Sequence, residues 1–155
     1  MTLMLERPGT VAESFAFAPG AREALPLFHA RCTVVRLASI DNELLGVPVW
    51  STLAEAWTEP GTAGRRRWSD NPVVTVGPDD DPHLVVATLT PVFVVGADNE
   101  AHGYARAVID AVRASCRSVF VADVGHRLTG HAYADVATFG FDRARGSALL
   151  GLLTA

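Results

Sequence analysis

Two short apolar runs, Val92–Val95 and Val119–Ala122, flank a stretch of helical pattern, and this triplet constrains the fold more than any other feature of the chain. Both runs are apolar at every position, the pattern of strands covered on both faces. Gly96 ends the first run, and Asp98 and Asn99 stand where the caps of a following helix belong. In that helix Tyr104, Ala107, Val108, Ala111, Val112 and Ser115 are expected on one stripe, with Arg106, Asp110, Arg113 and Arg117 facing outward. Parallel neighbours cannot be joined by a tight turn, so strand, helix and strand in this order predict a right-handed parallel crossover.

The remaining segments extend that unit. Cys32–Leu37 and Val73–Val76 are β-branched enough to be core strands, and His83–Leu89 is a further apolar run that Pro91 separates from Val92. Asp135–Gly140 reads as a last short strand, and Asp142 as the cap of a closing helix through Ala148, Leu149 and Leu152. Residues 21–30 have helical composition, but Pro26 predicts two short turns instead of one helix. Ser51 is placed to cap a short helix, and Glu59–Asp70 is a Gly-rich charged loop. Residues 1–20 show no period and read as an N-terminal arm or irregular lead-in, leaving 21–155 as a single domain. Alternating strands and helices predict an α/β fold: a three-layer sandwich with a mostly parallel sheet and helices on both faces.

Composition narrows the function classes. The net charge of −4 argues against nucleic acid as the principal partner. All 13 basic side chains are Arg, which removes Schiff-base and P-loop lysine chemistry. No apolar stretch approaches the ~20 residues needed to cross a bilayer. The first residues lack the basic-then-apolar pattern of a secretion signal, so a cytoplasmic location is expected. Cys32 and Cys116 then read as buried free thiols.

Laid out in this way, Val92–Gly96, Ala105–Ala111, Ser118–Gly125, Ala134–Phe141 and Ala148–Leu153 resemble the C-terminal α/β domain of glycoside hydrolase family 3. The bacterial β-N-acetylhexosaminidase branch is the nearest. The stretch CTVVRLASIDNELLGVPVW is similar to that domain's opening strand and turn, and the likeness covers most of residues 30–153. The resemblance implies the fold and a carbohydrate-active origin. It does not carry over catalysis, because in that family the nucleophilic aspartate lies on a preceding TIM barrel. In this branch an Asp-His acid/base pair lies there too. A barrel of roughly 250 residues cannot be held in 155.

Open α/β sheets bind ligands beyond the carboxyl ends of their strands. The residues with suitable chemistry there are Asp98, Asn99, Glu100, Asp123 and His126. Each has a structural role to weigh against a ligand: Asp98 as a helix cap, Asp123 as a turn residue closing its own backbone, His126 as a loop histidine. His102, His126 and His131 lack the spacing of a metal set, so no metal, cofactor or catalytic group is assigned. Arg65, Arg66, Arg67 and Trp68 combine two residue types favoured at interfaces, against the alternative of a solvated loop. Trp50, Trp57 and Trp68 fit core or interface better than sugar stacking.

Three functions follow as expectations. The first is a stand-alone accessory or interaction domain, non-catalytic alone, binding a protein partner or a second copy. The second is a subunit completing an O-glycosyl hydrolase with a separate barrel. The third is a small-molecule binder, a carbohydrate among the candidates, at the strand-end crevice.

Overall fold

A computed structural model describes residues 11, 13–29, 31–38, 71–83, 91–125, 131–140 and 142–154. Its strands are β1 (Ala16–Phe17), β2 (Thr33–Leu37), β3 (Val73–Val76), β4 (Val92–Gly96), β5 (Val119–Asp123) and β6 (Val136–Ala137). Its helices are α1 (Ala21–Ala24), α2 (Gly103–Ser115) and α3 (Arg143–Thr154). The sheet order is β1-β6-β5-β4-β2-β3, parallel throughout except for β1, which runs antiparallel to β6. The five parallel strands follow the order 2-1-3-4-5 of one common doubly wound sheet, with the reversal between β2 and β4.

The all-apolar strands are explained by what covers them. Val34, Phe93, Val95, Phe120, Ala122 and Val136 point to one face, packed against Leu25, Phe28, Ala148, Leu149 and Leu153 of the α1 region and α3. Val35, Leu37, Val76, Val92, Val94 and Val121 point to the other, under Ala105, Val108, Ile109 and Val112 of α2. The fold is therefore a three-layer α/β sandwich with helices on both faces. Phe120 anchors the first layer, edge-on to Phe28 at 5.7 Å and stacked on Phe93 at 6.3 Å between ring centres. Among the described residues no helix is long and apolar enough to cross a membrane.

Four local expectations change. The stripe of α2 runs through Ala105, Val108, Ile109, Ala111 and Val112, while Ser115 is exposed and Ala107 half-buried. The spacing 105-108-109-112 follows the helical period from Ala105, whereas Tyr104 lies at the stripe's margin. Asp98 and Asn99 do not cap α2. A 3-10 turn, Asn99–Ala101, comes first, and His102 occupies the N-cap position without capping the helix through its side chain. The irregular lead-in ends as structure, since Phe15 is buried and Ala16–Phe17 form edge strand β1, too short to show a period. The closing strand read over Asp135–Gly140 is only Val136–Ala137, because Phe139 takes a positive φ.

Other expectations match. Residues 21–28 split into α1 and a 3-10 turn with Pro26 in its first positions. The carboxylate of Asp142 accepts from the Arg145 N–H at 2.8 Å as the cap of α3. Cys32 and Cys116 are buried free thiols. The short helix after Ser51, the loop at Glu59–Asp70, the run His83–Leu89 beyond its first residue, and all three tryptophans lie outside the described residues.

Candidate functional site

The parallel strands all end on one rim, and two of the sequence's acidic candidates, Asp98 and Asp123, meet there. The register pairs Gly96 of β4 with Asp123 of β5, so the last residue of β5 lies beside the point where β4 gives way to its loop. Asp123 is buried, and three backbone N–H groups donate to its carboxylate. Those of Asp98 and Gly125 reach Oδ1 at 2.9 Å each, and that of Asn99 reaches Oδ2 at 3.1 Å. The Gly125 contact is the turn in which an aspartate closes its own backbone. The other two join loops 24 and 25 residues apart in sequence.

This clamp explains the backbone around it. Asp98 sits at φ 51°, ψ 48°, a left-handed conformation that Asp tolerates better than most residues. That turn is what aims two successive N–H groups at Asp123. Close approach also requires two glycines. A Cβ on Gly125 would stand 2.1 Å from Asp98 Oδ1 and 2.6 Å from its backbone nitrogen. A Cβ on Gly96 would stand 2.3 Å from Asn99 Oδ1 and 2.7 Å from a Leu37 methyl.

Burial pushes the Asp123 carboxyl above the usual aspartate range, opposed by the N–H donors of Gly125, Asn99 and Asp98 and reinforced by the nearby charge of Asp98. With both oxygens turned to backbone donors, Asp123 is not presented as a base or nucleophile to a substrate. Glycoside hydrolysis needs two carboxyl groups facing one scissile bond, and this geometry does not offer Asp123 for that.

Asn99 is fully buried. Its Nδ2 donates to the Tyr133 carbonyl at 3.2 Å, which sets the orientation of the amide. Its Oδ1 then lies over Gly96 with no hydrogen-bond donor among the described residues. Leaving a buried acceptor unpaired costs about 1–3 kcal/mol, so native structures rarely leave one without a purpose or a bound donor. Glu100 is exposed on the 3-10 turn, its carbonyl accepting from Arg106 Nη1 at 2.5 Å. His126, Arg65, Arg66, Arg67 and Trp68 lie outside the described residues. Among the described residues no group of three His, Cys, Asp or Glu side chains is placed to hold a metal ion.

Three participants escaped the reading of the sequence. Gly96 reads in the sequence as an ordinary strand terminator, and Gly125 only as part of the stretch after Asp123. Phe139, at the end of β6 on the same rim, has φ 58°, a strained value for an aromatic residue. Asp98 and Phe139 are the two non-glycine residues with positive φ among those described, and both stand where parallel strands end. Strained backbone of this kind gathers at functional sites.

Compared with models of protein families, with curated proteins and with solved structures, the chain matches none. The likeness to glycoside hydrolase family 3 rests on the sequence alone.

Proposed function

We propose that the chain is a small-molecule-binding α/β domain that receives a polar ligand at the carboxyl ends of β4 and β5. One observation carries the reading: the unpaired, fully buried Oδ1 of Asn99 at the rim where sheets of this topology take ligands. A ligand hydroxyl or amine donating to that oxygen supplies the missing hydrogen bond. A sugar meets the requirement, and the carbohydrate-active resemblance points to the same class. In this reading the domain serves carbohydrate processing as an accessory binder, or as the non-barrel part of a larger enzyme, and does not cleave bonds by itself.

The test is titration of the labelled protein with a panel of neutral monosaccharides and amino sugars, followed by amide NMR. The expected result is a saturable shift of the Asn99 side-chain NH2 and of the Asp98 and Asn99 backbone amides. Absence of any response at these groups across the panel refutes the reading.

A second reading, docking of a protein partner or a second copy, has one observation in its favour. Strand β3 forms an edge of the described sheet, and Val73 on it is 55% exposed. Sedimentation velocity over a concentration series tests it, and a mass that stays monomeric while Val73→Glu changes nothing removes the self-association form.

A further inference from the structure

In doubly wound sheets, backbone N–H groups of the loops that follow the strands are the usual grip on a ligand's phosphate or carboxylate. The present chain assembles such a grip and then fills it. The N–H groups of Asp98, Asn99 and Gly125 converge within 2.9–3.1 Å of one carboxylate, and that carboxylate is the chain's own Asp123. The convergence is built for closeness, since neither Gly96 nor Gly125 has room for a side-chain carbon. Beside it, the unpaired group in the buried site is an acceptor, Asn99 Oδ1, which repels an anion's oxygens and welcomes a donor.

We infer that Asp123 is the resident anion of this N–H cluster and the specificity-determining residue of the crevice: it turns away phosphorylated and carboxylate ligands and leaves the site to neutral, hydroxyl-bearing ones. A phosphate would need the donors that Asp123 already holds, and would meet the charge of Asp123 and Asp98 on approach. Two like charges at such range in a buried setting disfavour each other strongly. A neutral hydroxyl competes for none of these donors. The inference rests on the crevice being the ligand site, but the cluster itself can be tested separately.

The experiment uses the full chain, labelled with 15N, as wild type and as Asp123→Ala. Each is titrated with sodium formate, small enough for the space the side chain leaves, and with inorganic phosphate, against sodium chloride at matched ionic strength. Formate is expected to shift the amides of Asp98, Asn99 and Gly125 in the variant with saturation. It is also expected to raise the variant's unfolding midpoint, while neither anion moves these amides in the wild type. Phosphate or formate binding at these three amides in the wild type overturns the inference, and so does a folded variant whose amides ignore both anions. Asp123→Ser, which keeps one short acceptor, replaces the alanine variant if that does not fold. A neutral monosaccharide is titrated in parallel. If formate fills the variant while the sugar binds neither protein, the resident-anion role stands and the crevice reading falls.

Discussion

Replacing Asp123 by Asn asks how much of this rim depends on the carboxylate and how much on shape alone. The amide has the same outline, but only one of its two heavy atoms accepts hydrogen bonds. Its oxygen is best placed at the Oδ1 position, where the Asp98 and Gly125 N–H groups both point. The NH2 then faces the N–H of Asn99, a fully buried residue, donor against donor. One hydrogen bond is lost and one buried N–H is left unsatisfied, a cost of about 1–3 kcal/mol. Removing a desolvated charge returns part of that, so the expected loss is about 1–2 kcal/mol. Asp123→Ala strips all three donors of their acceptor and is expected to lose about 3 kcal/mol or more. For a chain of this length each kcal/mol lowers Tm by about 2–4 °C.

Urea unfolding of wild type and both variants gives the free energies. Native-state hydrogen exchange shows whether the loss is local to Asp98, Asn99 and Gly125. The order wild type, Asn, Ala with faster exchange at these three amides is the expected result. Both variants within about 0.5 kcal/mol of the wild type would show that the N–H groups have other partners, and would refute the reasoning.

Three further outcomes follow from the same contacts. Because the carboxyl of Asp123 has a folded pKa above its unfolded 3.8, the protein binds that proton more tightly when folded. Its contribution to stability is therefore full below the unfolded value and is lost as pH rises through the folded value. The stability difference between wild type and Asp123→Asn, measured by urea unfolding from acid to neutral pH, is expected to shrink in that direction, and a difference that grows contradicts the assignment. Gly96→Ala and Gly125→Ala each force a Cβ into the loops, and each is expected to destabilise by about 1–3 kcal/mol or more in the same assay. Gly125→Ala is the worse, because its Cβ meets backbone at 2.6 Å as well as a side chain. Gly151→Ala, where a Cβ meets nothing within 4 Å inside α3, is expected to stabilise by about 0.5–1 kcal/mol, visible as a raised Tm.

The sequence displays strands that are buried on both faces, because such strands have no polar position to blur the pattern. β4 and β5 were legible for this reason. β2 and edge strand β3, which carry Arg36 and Thr75, were legible from their β-branched residues, and the alternation with helices carried the layer architecture. β1 was not, since two residues, Ala16 and Phe17, cannot express a period, and their pairing with Val136 and Ala137 comes from the far end of the chain. The helix stripe was misdrawn for a related reason. Anchoring it on Tyr104, an amphipathic residue content at a margin, left out Ile109, which is fully buried. At the site, Asp98, Asn99 and Asp123 could be singled out one by one, because strand ends in a parallel sheet are where such chemistry collects.

Their partnership was invisible, and the assigned roles were therefore local ones: a cap for Asp98 and a turn for Asp123. The capping expectation failed because Asp98 turns left-handed into the 3-10 turn Asn99–Ala101, which keeps its side chain away from the start of α2. Its N–H goes to Asp123, 25 residues on, which the register Gly96 to Asp123 brings within reach. The same register gives the two glycines their meaning. Gly96 lies under the amide of Asn99, and Gly125 lies against the carboxylate of Asp98. A larger residue at either position would separate the loop that donates from the carboxylate that accepts. Each glycine is thus a condition for the clamp, and the same packing holds Asn99 with its Oδ1 buried and without a donor among the described residues.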